Sequence, residues 1–202
     1  MLRCQRILRE YMQARQNTAA VDALSQEPAE EGKNTVFDTD DGMTRIVFSF
    51  ATQINIEKKD TVPKWLSDAP ETIKHFVLVT DDEKHKKRFF SAKNWLAPHI
   101  QKDLGKTIEF FDASELQFNV LNHDLVPQHE VIQDEQAKAK IIEQFELKNA
   151  LQLPLILNRD PVARALGAQP GDIMKITRYT PNVGEHVVYR TCVRWLAGDH
   201  GS

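Results

Sequence analysis

The chain has 202 residues, 41% hydrophobic and 27% charged, with a net charge of −3. This is enough apolar material for one large domain or two small ones, and a mean hydropathy of −0.46 is that of a water-soluble protein. No run of about 18 apolar residues occurs, which excludes a membrane-spanning helix, and the large basic excess of a protein that binds duplex on its own is missing. Arg3, Arg6 and Arg9 open the chain with no apolar stretch behind them, so no cleaved leader is expected and the chain should stay in the cytosol or nucleus. Cys4 and Cys192 stand at opposite ends, which predicts neither a disulfide framework nor a cysteine zinc site.

Residues 1–16 place Ile7, Leu8, Tyr11 and Met12 on one stripe, the pattern of an amphipathic helix. Residues 17–42 are polar and acidic, with Asp22, Glu27, Glu30, Glu31, Asp38, Asp40 and Asp41, and read as a mobile acidic loop, in part disordered. Asp38-Thr39-Asp40-Asp41-Gly42 is not expected to hold calcium: its glycine comes one place early and Ser49 stands where a bidentate Glu is needed. Thr44–Phe50 and Ile73–Thr80 read as strands, with a short helix opening near Pro63 between them. Ser91 is placed to cap a helix carrying Trp95, Leu96 and Ile100, and Gly105 to end it. Thr107–Phe111 reads as a third strand and Phe118, Val120 and His123 as part of a fourth. Strands interleaved with helices predict an α/β or α+β first domain.

The last third is denser in local signals. Asp134–Leu147 reads as a helix with Ala137, Ile141, Ile142 and Phe145 on its apolar face. Asp160 is an N-cap with Pro161 at the first helical position, and Gly167 closes that short helix. Pro170-Gly171 fits the centre of a type II turn. Asp172–Tyr179 and His186–Trp195 should pair as an antiparallel hairpin.

No convergent catalytic set can be assembled: there is no Gly-x-Ser-x-Gly, Walker loop, Gly-x-Gly-x-x-Gly or His-Glu-x-x-His. No catalytic residue, metal or cofactor is therefore expected. Cys192 lies in an alternating strand, where a buried, inert thiol is expected. His123 and His129, six apart across a proline, fit no metal-ligand spacing and read as capping or hydrogen-bonding groups. Lys84, His85, Lys86, Lys87 and Arg88, followed by Lys93, form the one local basic patch. A phosphate could rest on it and on the amides of the helix beginning near Ser91, holding a duplex without reading its sequence.

The ordered run His123-Asp124-Leu125-Val126-Pro127-Gln128-His129, Leu153-Pro154, Asp160–Arg164, Gly171–Ile176 and Tyr189-Arg190 resembles the C-terminal module of the fifth subunit shared by nuclear RNA polymerases I, II and III, a family with an archaeal counterpart. The resemblance covers residues 119–195. It implies a C-terminal assembly module docked on the largest polymerase subunit beside neighbouring small subunits, an N-terminal jaw domain at 1–118, and a tail at 196–202. The fold class expected is therefore α/β (α+β), an α/β jaw and a small mixed α/β module ending in a hairpin. The docking residues implied are His123, Pro127, His129, Asp160, Pro161, Arg164, Lys175, Arg178, Tyr189 and Arg190. The jaw of that family touches downstream DNA near a Thr-Pro-Ser-Ala step, where this chain has Phe89-Phe90-Ser91-Ala92. Ser91 and Ala92 match, and with Lys84, Lys86, Lys87, Arg88 and Lys93 they are the candidate contacts to downstream duplex. The lost Thr-Pro points to a divergent paralogue serving one polymerase, or a viral version.

The expected function is a non-catalytic, nuclear subunit of a DNA-directed RNA polymerase, with weak, sequence-independent DNA contact and no membrane. The alternative is an assembly or regulatory protein whose first domain recruits a protein factor and does not touch DNA.

Overall fold

The computed structural model describes residues 2–25, 34–49, 64–80, 96–98, 100–102, 104–182 and 184–194. It divides into two compact units, Met1–Phe118 and Asn119–Ser202. Each unit holds one four-stranded sheet with helices, a mixed α/β architecture.

In the first unit α1 (Leu2–Ala14) and α2 (Thr18–Ala23) precede β1 (Asn34–Asp38) and β2 (Thr44–Ser49). Then come α3 (Lys64–Ser67), β3 (His75–Thr80), helical residues 96–98 and 100–102, and β4 (Thr107–Asp112). The sheet order is β1-β2-β3-β4, with β1 antiparallel to β2 and the β2–β3 and β3–β4 pairs parallel. Parallel neighbours need crossover connections that cover the sheet, so central strands are buried on both sides. Every residue of β2 is buried, as are Phe76 to Thr80 of β3. On one face Val47, Phe76, Leu78 and Phe110 pack with Trp65 and Leu66 of α3 and with Leu96 and Ile100. The other face presents Ile46, Phe48, Val77, Val79 and Phe111, all buried, and the Tyr11 ring of α1 lies 6.5 Å from that of Phe111.

Two sequence expectations fail here. The interval 17–42, read as a mobile loop, contains α2 and β1 in its described residues, while 26–33 lie outside them. Asn17 caps α2 by accepting the Ala20 N–H at 3.0 Å, and Ala20, Ala23 and Leu24 are buried. Two of the acids that argued for a loop, Asp38 and Asp41, are used locally. Asp38 takes a bidentate bond from Arg45 on the paired strand, at 2.6 and 2.5 Å, while Asp41 accepts from the Thr39 hydroxyl and from the Met43 N–H. The strand expected to run from Phe118 to His123 is absent. Asn119 accepts the Leu121 N–H at 2.9 Å, tightening Val120–Asn122 into a 3-10 turn. The fourth strand of the sheet is β1. Pro63, Ser91 and Trp95 lie outside the described residues, although α3 follows directly at Lys64.

The second unit contains β5 (Gln128–Ile132), α4 (Glu135–Gln144), β6 (Leu155–Leu157), α5 (Pro161–Ala165), β7 (Ile173–Thr180) and β8 (Gly184–Val193). Its sheet order is β5-β7-β8-β6, antiparallel except for β6 beside β8. Sequence reading finds α4, α5 and the hairpin, but not the short strands β5 and β6. The caps follow its local signals: Asp134 accepts the Ala137 N–H at 2.7 Å, and Asp160 accepts from Val162 and Ala163 at 2.9 and 3.3 Å with Pro161 at the start of α5. Gly167 and Gly171 have φ of 71° and 99°, left-handed positions that L side chains resist. The Asp172 N–H reaches the Gln169 carbonyl at 3.0 Å across Pro170-Gly171, completing the turn.

The register sorts this sheet into two faces. Ile156, Met174 and Cys192 pack against Val162, Ala163 and Ala168 beyond α5, while Ile173 packs with Ile141 of α4 and Leu153. The hinge of the second cluster is polar: Lys138 of α4 reaches the buried Asp172 carboxylate at 3.1 Å. Cys192 is fully buried, and burial, reinforced by the carboxylates of Asp172 and Asp160, pushes its thiol up to about 11. Cys4, in the first unit, is 2% exposed.

Candidate subunit interface

The motif residues of the second unit divide by what they touch. His123 caps the 3-10 turn and its Nδ1 accepts the Leu125 N–H at 3.2 Å. His129, on β5, holds the Pro127 carbonyl through Nδ1 at 2.6 Å. Both histidines are thus hydrogen-bonding groups of the loop that surrounds Pro127. Asp160 is consumed by the α5 cap, with Pro161 exposed beside it and Arg164 half-buried one turn later. Lys175 pairs with Glu130 at 3.3 Å, directly across the β5–β7 ladder. Tyr189 is stacked edge-on against Phe145, with ring centroids 5.6 Å apart. Arg190 donates Nη1 to the Leu155 carbonyl at 3.3 Å, occupying an outward-facing acceptor on the β6 edge. Arg178 is exposed.

These residues do not share one patch. Directly opposed residues lie on one face, and every second residue along a strand joins them. His129, Ile176, Arg178 and Arg190 therefore share the α5 face, while Lys175 and Tyr189 share the α4 face with Leu155. Much of the motif serves the module's own fold.

The module also leaves several large apolar side chains uncovered. Leu125 is 85% exposed, Leu151 66%, Leu155 50%, Phe145 46% and Tyr179 79%. Phe145, Leu151 and Leu155 border the same α4 face, since the Thr191 hydroxyl on that face is held by the Ala150 carbonyl. Sequence reading treats Leu125 only as a motif letter and assigns Phe145 to the buried side of its helix. Alternation makes either Leu155 or Ile156 face outward, and pairing with β8 decides which.

The basic candidates Lys84, Lys86, Lys87, Arg88, Ser91, Ala92 and Lys93 lie outside the described residues. What the first unit does show is a charge cluster around β4. Arg15, at the end of α1, forks onto Glu109 at 3.0 and 3.1 Å. His75 on the neighbouring strand approaches Glu109 at 3.4 Å. Burial alone would raise the Glu109 carboxyl; the hydrogen bond from His75 and the Arg15 charge overcome it and hold it down at about 2.

The profile of the family described as RNA polymerase Rpb5, C-terminal domain, matches residues 118–192. The DNA-directed RNA polymerase subunit Rpo5 of Sulfolobus acidocaldarius is 47% identical over 78 residues, which are 39% of this chain and 90% of that protein. The chain belongs to the Rpb5 family of DNA-directed RNA polymerase subunits. It is thereby a component of an enzyme complex that works in transcription, in association with other polymerase subunits. Eukaryotic relatives carry the likeness further along the chain. The subunit rpabc1 of RNA polymerases I, II and III from Dictyostelium discoideum is 29% identical over 145 residues, 66% of this chain and 73% of its own. The Caenorhabditis elegans counterpart is 30% identical over 128 residues, 61% of this chain and 60% of its own. Neither stretch fits within Asn119–Ser202, so both reach into the first unit.

Proposed function

We propose that the chain is a non-catalytic subunit of a nuclear RNA polymerase, whose second unit docks on the largest subunit and whose first unit is a jaw beside downstream duplex DNA. The observation that carries the docking reading is the set of exposed large apolar side chains on a small module, from Leu125 at 85% to Phe145 at 46%. A module this small buries only about 60% of the surface its unfolded chain exposes, and a partner that covers the rest stabilises it by mass action. His123 and Arg178 would form the polar rim, with Pro161, while Tyr189 and Arg190 shape the surface through Phe145 and the β6 edge. Phosphodiester chemistry is assigned to other subunits.

The DNA contact rests on the Lys84–Arg88 run, with Ser91, Ala92 and Lys93 beside it. Contacts of this kind weaken with salt as counterions return to the phosphates. In a purified polymerase, Ala at Lys84, Lys86, Lys87 and Arg88 should reduce crosslinking of the first unit to downstream DNA and flatten its salt dependence. Unaltered crosslinking favours the second reading, in which the first unit recruits a protein factor; the near-neutral charge of the chain is what speaks for it. For docking, Leu125→Asp in a tagged full chain should leave its folded spectrum intact yet lower recovery of the largest subunit. Full recovery would remove Leu125 from the interface.

A further inference from the structure

The far end of the β7–β8 ribbon contributes nothing to either core cluster. Residues 178–182 are exposed, as are Glu185 and His186. In the register Arg178 stands opposite His186, Tyr179 opposite Glu185, and Thr180 opposite Gly184. Side chains two apart share a face. Arg178, Thr180 and His186 therefore stand together on one side, with Tyr179 and Glu185 on the other.

Positions two apart along a strand, or diagonal across a pair, are about 7 Å apart, within reach of an arginine or an imidazole. Gly184 puts no side chain opposite Thr180, and a Cβ built there would meet nothing within 4 Å. Among the described residues neither Arg178 nor His186 has a hydrogen-bond or ion-pair partner. The carboxylate of this ribbon end, Glu185, projects from the opposite face. An unpaired guanidinium and an imidazole thus flank an open hydroxyl, an arrangement that lacks only an anion.

The sequence supplies the second observation. Pro181 follows Thr180, and of the nine prolines it alone is preceded by Ser or Thr. Proline offers no N–H and biases the residue before it toward an extended backbone. Those are the features a proline-directed protein kinase selects beside its acceptor hydroxyl.

We propose that Thr180 is a phosphorylation site for a proline-directed protein kinase, and that Arg178 and His186 receive the phosphate. The Thr180 hydroxyl oxygen attacks the γ-phosphorus of ATP, a new O–P bond forms as the bond to ADP breaks, and the hydroxyl proton passes to the base of the kinase. The ribbon end can open into a kinase cleft at little cost, because its side chains are not buried. Once in place, the phosphate carries about −1.5 to −2 charges and three acceptor oxygens. It would accept from the Arg178 fork and the His186 ring, turning an exposed tip into a charge-locked one. The acceptor Thr180 does not depend on the docking reading, although that reading also uses Arg178.

The test is to treat the full chain with a purified proline-directed kinase and ATP, then read the intact mass and the fragment masses. One phosphoryl group per chain at Thr180 is expected. Thr180→Ala should abolish it, and Pro181→Ala, which keeps the hydroxyl, should remove most of it. No incorporation, or incorporation elsewhere, overturns the site. A phosphorus NMR titration tests the receiving pair: the second ionisation should fall below its ordinary value of about 6, and Arg178→Gln should return it toward that value. A titration that Arg178→Gln leaves unchanged overturns the pair.

Discussion

The two units solve the problem of burial in opposite ways. The first wraps helices around a largely parallel sheet, so that β2 and β3 are buried on both faces and the core includes Trp65, Phe76 and Phe110. The second splits a thinner core between two faces, with Met174 and Cys192 on one and Ile173 on the other. It relies on caps, a turn and the Lys138–Asp172 pair to hold the halves in register. Among the described residues both units leave large apolar side chains exposed, Val36, Met43, Leu104 and Phe118 in the first, but the most exposed of all, Leu125 and Tyr179, belong to the second. The archaeal relative shows that a stretch close to the second unit in length can make up 90% of a polymerase subunit.

The largest test of this contrast lies in the first core. Phe76→Ala removes a ring buried in the centre of the sheet, and should cost about 3–5 kcal/mol. Calorimetry of the full chain should show the first unit's transition falling while the second unit's stays. A single merged shift would mean the units are one cooperative body.

Next comes Glu109. Its carboxyl sits at about 2 in the folded chain against an ordinary 4.5, so it contributes stability above pH 4.5 that is lost as pH falls through about 2. Glu109→Gln should cost on the order of 2 kcal/mol at neutral pH, with little difference from the parent near pH 2. A loss that persists unchanged in acid would mean that Glu109 acts by shape and not by charge.

The smallest effect belongs to the second unit. Asp160→Ala removes the acceptor of two N–H groups at α5 and should cost about 1 kcal/mol. Urea unfolding followed by a probe in the second unit should register it, with the first unit unmoved.

How far the sequence could be read follows the same division. Asp160, Pro161, Gly167 and Pro170-Gly171 act on backbone groups a few residues away, so their meaning travels in the local sequence. β1 is less plain: Asn34–Asp38 is a strand because β2 lies beside it and Arg45, seven residues on, reaches back to Asp38, so its polar residues are answered by the next strand and not by their own segment. The candidate interface was legible as a motif but not as a surface. Tyr189 reads as an exposed anchor until the register turns it onto Phe145, and nothing in the spacing says which way Leu155 faces until β6 pairs with β8. Facing is set by strand partners, and spacing alone does not carry it.

The placement of the two cysteines gives each unit its own alarm. Cys4 and Cys192 are both inaccessible in the native chain, and the second also holds its proton well above neutral pH. Alkylating reagents will therefore find nothing to modify until one unit opens, and the modified thiol will name which one opened. With no engineered label, the chain can report on its own breathing, free or assembled, one half at a time.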